Sequence, residues 1–247
     1  MPHIFRPFMI VVLILLSHGA LANSLLNQHV MATSQAISAF YMYSLTEGDE
    51  RYQAEYKKFL SQAHGHFQSL KKQDPKLVTK LEPLWADIQK EKDYKITAES
   101  EFNVPSFMRI QYRNYLENVY QLVGKTIISE SNLAEQMTLI ALDVEVMAAR
   151  FFDVSNATMG VFTLSSSLFE IDPQAMAENM KQRLAKLQTQ VNDKVIKKNL
   201  RSVSGKWQFI EGGVINYNQE AAFLLVYYNK KKINKLIVNS QEALAAL

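Results

Sequence analysis

Residues 133–151 read LAEQMTLIALDVEVMAARF, and the spacing of the apolar residues in this stretch decides the fold class. The apolar side chains recur after four, three, four, three and four positions, at Leu133, Met137, Ile140, Val144, Met147 and Phe151. Because an α-helix has about 3.6 residues per turn, this spacing places all of them on one face of a helix. The stretch therefore predicts a long amphipathic helix that packs against other helices.

The same spacing recurs on both sides of this stretch. It is repeated at Tyr52, Tyr56, Phe59, Ala63, Phe67 and Leu70, and again at Met176, Met180, Leu184, Leu187 and Val191. Signals for helix starts separate the periodic segments, namely Asp49, Asp74-Pro75, Val104-Pro105-Ser106 and Asp172-Pro173. Aspartate favours the N-cap position and proline the first helical position. The pattern predicts an all-α protein.

The composition agrees with this fold class. The chain has 247 residues, of which 48% are hydrophobic, with only 8 glycines and 6 prolines. That apolar fraction is enough for a sizeable core, and so few helix breakers leave little room for a turn-rich β-sandwich or barrel. The absence of cysteine excludes disulfides, cysteine-ligated zinc, Fe–S clusters and a cysteine nucleophile.

Residues 1–22 are predicted to be a secretory signal peptide. Arg6 is the only charged residue before the apolar run Phe8–Leu16, and Ala20-Leu21-Ala22 supplies the small residues of a cleavage site. The alternative is an uncleaved anchor helix, but the apolar run barely reaches the ~20 residues that a membrane span needs. We expect cleavage near Ala22, no lipid attachment, and a soluble chain in the bacterial periplasm or secreted.

The mature chain is predicted to be two tandem antiparallel helical bundles related by duplication, over residues 23–129 and 130–247. The two tryptophans, Trp85 and Trp207, each follow an aliphatic residue by four positions and precede an isoleucine by three. We expect them to be buried equivalents. The alternative is that all helical bundles share such apolar spacing, so that the pattern arises without duplication.

Two stretches are predicted to be connections between helices. The run of small and hydroxylic residues from 156 to 168 interrupts helical propensity in the middle of the chain. The alternative is a helix whose small-residue face lets another helix approach closely. Gly212-Gly213 interrupts helical propensity again near the end, where it predicts a loop.

The sequence predicts no catalytic residue, metal ligand or cofactor site. His64 and His66 are two residues apart on a predicted helix and point in different directions, so one metal ion cannot easily bind both. Asp143 and Glu145 diverge for the same reason. No nucleotide-binding loop, nucleophile elbow or di-iron motif is present. We expect a protein that is not an enzyme, and an enzyme without a recognisable motif is the third alternative.

The charge distribution predicts a docking surface. Residues 181–235 carry 12 basic and 3 acidic residues, although the net charge of the whole chain is only +3. The candidate docking residues are Lys194, Lys197, Lys198, Arg201, Lys230, Lys231, Lys232 and Lys235. A positive surface attracts an acidic protein or another anionic component of the cell envelope. The alternative is that these cations solvate the bundle or pair with the acidic first unit.

The helical segments 25–56 and 133–158 resemble the periplasmic sensing domains of chemotaxis transducers and nitrate/nitrite sensor kinases. The likeness lies in the duplicated helical layout, and it implies a helical-bundle fold. Those domains can carry an arginine motif on their first helix, but residues 31–37 and 134–140 contain no arginine. Anion sensing is therefore not implied for this chain.

Two functions follow as expectations. The first is an adaptor that binds a protein or envelope component through its helix faces. The second is a sensor accessory that binds a small molecule between helices. Nucleic acid is not an expected partner, since an exported chain without a recognition motif has no access to it.

Overall fold

The computed structural model describes residues 5–124, 132–158, 172–216 and 223–247, with only the helical backbone described for residues 5–22. Within these ranges the chain forms nine α-helices, a single 3-10 turn and no β-strand, which confirms the predicted all-α class. The helices are α1 (Phe5–Leu45), α2 (Glu50–Gln73), α3 (Pro75–Val78), α4 (Glu82–Lys90), α5 (Ser106–Gly124), α6 (Leu133–Thr158), α7 (Pro173–Gln190), α8 (Lys194–Asn216) and α9 (Phe223–Ala245).

The predicted helix starts are confirmed by their caps. The side chains of Asp49, Asp74 and Asp172 each accept a hydrogen bond from a backbone N–H in the first turn, at 3.0, 3.0 and 2.9 Å. Each bond satisfies one of the N–H groups that have no partner within the helix. Before Asp49, Gly48 has a φ of 87°, a left-handed conformation that a glycine adopts without strain and that ends α1.

The prediction of a loop at Gly212-Gly213 is wrong, because α8 continues through both glycines to Asn216. Each glycine weakens a helix by about 1 kcal/mol relative to alanine. However, Ile210 and Val214 extend the buried stripe of α8 across this point. Burial of their side chains offsets the poor helix propensity.

The first half of the molecule is built on an antiparallel pair, α1 and α2. His29 of α1 contacts Phe67 of α2, and Phe40 contacts Tyr56, so the residue numbers rise along one helix as they fall along the other. Helix α5 packs against α1 and α4 and closes this half. Trp85 of α4, 3% exposed, lies inside it.

The second half is a four-helix bundle in which α6 packs against α7, α8 and α9, and neighbouring helices along the chain also pack together. Short connections such as residues 191–193 make α7 and α8 antiparallel neighbours. Trp207 of α8 is 2% exposed, so both tryptophans are buried as predicted.

The two halves pack along α1 and α6, which run parallel. The hydroxyl of Tyr41 donates to Asp153, and the amide of Asn156 donates to Ser44, so both helices advance together. The duplication of the two units stays a prediction.

Most of the small-residue stretch at 156–168, which is predicted to be a connection, lies outside the described residues. Its first three residues form the end of α6. Within the described ranges, no helix has the length and apolar character needed to cross a membrane.

Candidate functional site

The predicted docking residues of α8 lie together on one exposed side of the helix. Four cations are spaced three, one and three residues apart and thus share that side: Lys194, Lys197, Lys198 and Arg201. The opposite side of α8 is buried through Ile196, Leu200, Val203 and Trp207. We call the four cations the α8 basic face. Together with Ser202 they border an open depression on the surface.

The α8 basic face has no acidic partner among the residues that the structure describes. The nearest acid in sequence, Asp193, instead caps the helix by accepting from the N–H groups of Val195 and Ile196 at 2.8 and 2.9 Å. A helix N-terminus carries positive partial charge, so cations such as Lys194 in the first turn are unfavourable there. Helix stability therefore does not explain why these cations are present.

Lys230 of α9 is not part of an exposed docking surface, which corrects the prediction for this residue. Its side chain is 2% exposed and its Nζ donates to Oε2 of Glu145 at 2.7 Å. The amide of Asn234 also donates to Glu145, and the Lys230 ammonium lies 4.8 Å from the ring centre of Tyr227. A partner outside the bundle cannot reach this lysine because the bundle encloses it.

The other predicted cations of α9 have different surroundings. Lys231 pairs with Glu55 of α2 at 2.6 Å and so joins the two halves of the molecule. Lys232 and Lys235 are exposed and have no acidic partner among the described residues. The predicted basic set therefore divides into three groups. The four cations of α8 have no acidic partner among the described residues, Lys230 and Lys231 each pair with a glutamate of the chain, and Lys232 and Lys235 are exposed lysines of α9.

The carboxylates of Asp143 and Glu145 point to different helices, as their spacing predicts. Asp143 accepts from Tyr120 of α5 and from Arg183 of α7, both at 2.6 Å. Burial raises the pKa of Asp143, although the charge of Arg183 opposes this shift. Both carboxylates are thus held by ion pairs and are unavailable as a joint acid–base pair.

A buried cluster around Asp153 was not found by sequence reasoning. Its carboxylate accepts from Nε of Arg109 at 2.9 Å, Nε of Arg113 at 3.0 Å and the hydroxyl of Tyr41 at 3.0 Å. Burial and the neighbouring carboxylate raise the pKa of Tyr41 well above its ordinary value. The four side chains come from α1, α5 and α6, and sequence spacing cannot show a meeting of three separate helices.

The Asp153 cluster has no room for a ligand. The depression beside it, bordered by Tyr41, Tyr112, Arg113 and Asp153, has a volume of about 10 Å³. One water molecule needs at least about that much space. The arrangement therefore holds three helices together and offers no substrate-binding cavity.

His29 is the second buried polar group that sequence reasoning missed. Its Nδ1 donates to the backbone oxygen of Ala63 at 2.9 Å, and its Nε2 accepts from the hydroxyl of Tyr115 at 2.5 Å. This pairing requires a neutral imidazole, and burial lowers the pKa of His29 to about 4. Its position three residues after Leu26 on the buried face of α1 is the signal that could have revealed it.

The predicted histidine pair lies on α2. His64 is exposed, and its ring stacks on Trp85, whose indole N–H donates to Nδ1 of His64 at 3.4 Å. His66 is partly exposed. In the described part of the chain, no three His, Asp or Glu side chains form a group able to hold a metal ion.

A polar groove of about 530 Å³ lies between α1, α6 and α9. It is bordered by Ser24, Asn27, Gln28, Met31, Asn132, Ala134, Glu135, Thr138, Val238 and Gln241. Asn27 is 3% exposed, and its side-chain oxygen has no hydrogen-bond partner. The groove is thus bordered by a buried acceptor that has no hydrogen-bond partner.

Comparison with known proteins finds no similar family, protein or structure: no family model matches the sequence, and neither a curated protein nor a solved structure is significantly similar to it. The function of this chain is therefore inferred from its geometry.

Proposed function

We propose that this protein is a non-enzymatic docking module of the cell envelope, which binds an acidic surface through the α8 basic face. The observation that carries the proposal is the unpaired charge of Lys194, Lys197, Lys198 and Arg201 on one exposed side of α8. By contrast, Lys230 and Lys231 of the predicted basic set each pair with a glutamate of the chain. Unpaired cations of one sign attract and orient an anionic partner.

The placement of two of these cations in the first turn of α8 also favours a binding role. Lys194 and Lys197 add their charge to the positive end of the helix dipole and so lower stability slightly. The N-cap Asp193 compensates for part of this cost. A cluster that costs stability and lacks partners is typical of a surface retained for binding.

The buried ionic groups support the assignment as a non-enzyme. The carboxylates of Asp143, Glu145 and Asp153 are each occupied by ion pairs inside the bundle. General acid–base catalysis needs a titrating group within hydrogen-bond reach of a substrate. None of these three carboxylates borders a cavity with space for one.

Cross-linking in living cells tests the proposal. The chain has no cysteine, so a single cysteine carries a photoreactive cross-linker to one chosen place. Gly205→Cys lies on the exposed side of α8, where a Cβ atom meets no other atom within 4 Å. Asn114→Cys, exposed on α5, is the matched control.

The proposal predicts cross-links from position 205 to an envelope component and none to it from position 114. It also predicts that they disappear when the four cations of the α8 basic face are changed to glutamine. Equal cross-linking from both positions, or cross-links that survive the glutamine changes, would contradict the proposal.

The polar groove between α1, α6 and α9 favours a second candidate, a sensor accessory that binds a small uncharged polar molecule. The unpartnered oxygen of Asn27 would accept a hydrogen bond from such a ligand. Ligand at about 100 times its dissociation constant stabilises a protein by ~2.7 kcal/mol. A thermal-shift screen tests this candidate, with stabilisation that Asn27→Leu abolishes as the expected result.

A further inference from the structure

The helix directions give the bundle two distinct ends. Ser24 of α1, Asn132 at the start of α6 and Gln241 near the end of α9 border one groove, so they lie at the same end. The final turn of α2 belongs to this end as well, since α2 runs antiparallel to α1.

Helix α8 begins at the same end. Helix α9 runs antiparallel to α6, because Lys230 pairs with Glu145 and Gln241 donates to Thr138. Helices α8 and α9 pack together and only six residues separate them along the chain, so α8 runs antiparallel to α9 and parallel to α6. The α8 basic face therefore lies at the end of the bundle where residue 24 lies.

The two ends carry opposite charge. The end that contains residue 24 bears exposed or partly exposed cations from α2, α3, the turn after α3 and α8, and we call it the basic end: Lys71, Lys72, Lys76, Lys80, Lys194, Lys197, Lys198 and Arg201. Lys71 pairs with Glu82, and Asp74, Glu135 and Asp193 also lie there, so that cations outnumber acids at this end. The opposite end carries the turn before α2 and the segment before α5, where acids predominate: Glu47, Asp49, Glu50, Glu91, Asp93, Glu99 and Glu101.

The apolar segment Phe8–Leu16 precedes residue 24 on the same helix, α1. As the predicted signal peptide or anchor, this segment would direct the chain to a membrane, and it joins the bundle at the basic end. Val195, which is 58% exposed, adds an apolar side chain there beside the cations of α8.

We propose that the basic end docks on an anionic phospholipid surface, with the helices upright and the acidic end turned away. This inference rests on the proposed function and names the partner of the α8 basic face. Anionic headgroups attract basic residues within a Debye length, about 8 Å at physiological salt. Repulsion of the acidic end by the same headgroups fixes the orientation.

Binding to lipid vesicles tests the inference, using the protein with its N-terminus as processed in the cells that make it. The vesicles are equimolar phosphatidylglycerol and phosphatidylcholine, with pure phosphatidylcholine as the neutral control. We expect binding to the anionic vesicles that salt weakens, and much weaker binding to the neutral ones. Equal binding to both would overturn the inference.

A matched pair of variants assigns the binding to the basic end. Lys194→Gln with Lys198→Gln removes two charges at that end and weakens binding about 30-fold, at the usual contribution of a basic residue near an anionic surface. Lys92→Gln with Lys95→Gln removes two exposed charges at the acidic end and leaves binding within about twofold. Equal effects of the two pairs would overturn the assignment.

An environment-sensitive fluorophore on a single cysteine tests the upright orientation. Gln190→Cys lies at the end of α7, on the basic end, and Ala98→Cys lies on the acidic end; both residues are exposed. Anionic vesicles should increase the emission of the label at 190 and leave the label at 98 unchanged. An increase at both positions would overturn the upright orientation.

The failure of this inference can be told apart from the failure of the proposed function. If cross-links from position 205 reach an acidic protein and vesicles do not bind, the lipid partner is wrong and the docking function stands. If neither cross-links nor vesicle binding is observed, both proposals are wrong.

Discussion

The two halves of the bundle bury their polar side chains in different ways. In the interior of the first half, between α1, α2 and α4, the buried polar group His29 is neutral and lies among aromatic rings, since it bonds to Tyr115 and contacts Trp85. In the second half Glu145 and Lys230 form a buried ion pair, and the buried arginines of the first half, Arg109 and Arg113 of α5, lie where α5 meets Asp153 of α6. A neutral group needs only its hydrogen bonds, whereas a buried charge also needs an opposite charge. The two halves should therefore respond differently to the loss of one partner.

The largest effect is expected from the ion pair of the second half. Lys230→Ala leaves Glu145 buried with no opposite charge, and this should lower the free energy of unfolding by about 3–5 kcal/mol. Denaturation with urea measures the change. Replacing both partners, as Glu145→Gln with Lys230→Met, should recover most of the loss, because no charge is then left unpaired. A loss below about 1 kcal/mol for Lys230→Ala would remove the distinction between the halves.

The two tryptophans, one in each half, allow the stability of the two halves to be compared directly. Truncation of either to alanine should cost about 3–5 kcal/mol through the cavity that it leaves. Trp85 also contacts the rings of His29, Phe67 and Tyr115, and such aromatic pairs contribute about 0.5–1.5 kcal/mol beyond burial. Urea denaturation should therefore show Trp85→Ala as the more costly variant.

The indole nitrogen of Trp207 suggests a control variant for the comparison of Trp85→Ala with Trp207→Ala. It is buried without a hydrogen-bond partner. Trp207→Phe should therefore be tolerated better than Trp207→Ala, since phenylalanine fills part of the cavity and buries no unpaired N–H. Equal losses for Trp85→Ala and Trp207→Ala would mean that the aromatic contacts of the first half add little.

Acid should weaken the first half through His29. Its pKa falls from 6.5 to about 4 on folding because burial disfavours the charged ring. The folded state thus favours the neutral form, so its stability is complete above pH 6.5 and falls as the pH drops from 6.5 towards 4. A shift of this size corresponds to about 3 kcal/mol.

Urea denaturation at a series of pH values checks this expectation. The variant His29→Gln, which does not titrate, should show a flatter pH profile than the natural chain between pH 6.5 and 4. Profiles of the same slope would show that groups other than His29 cause the loss in acid.

The smallest effect is expected at the contact between the halves. Lys231→Ala removes the pair with Glu55, whose two side chains are 44% and 30% exposed. A pair this accessible to water contributes about 0.2–1 kcal/mol. Thermal unfolding should show a small decrease in Tm that disappears in high salt, while a large decrease would indicate that the halves depend on this pair.

The helices were predictable because their signals are local. The stripe from Leu133 to Phe151 and the N-caps Asp49 and Asp172 each act within one or two turns. The loop prediction at Gly212-Gly213 failed because the apolar stripe of α8, which continues through Ile210 and Val214, outweighs the propensity of two glycines.

The candidate docking surface was predictable only in part. The four cations of α8 follow helical spacing and share one side, as the sequence implies. Lys230 belongs to a run of three lysines, yet it follows Val226 and precedes Ile233 on the buried stripe of α9. Consecutive residues of a helix are rotated by about 100° around its axis, so one lysine of the run can be buried while the next is exposed. The spacing of the apolar neighbours, rather than the run itself, was the useful signal.

The sequence by itself determined the helical class and the helix starts at Asp49, Asp74 and Asp172. These features depend on interactions between residues a few positions apart. The tertiary structure alone decided that Asp153 meets Arg109 and Arg113, that Lys230 pairs with Glu145, and that cations from α2, α3 and α8 gather at one end. Such contacts depend on the order and direction in which separate helices pack, and many arrangements satisfy the same apolar periodicity.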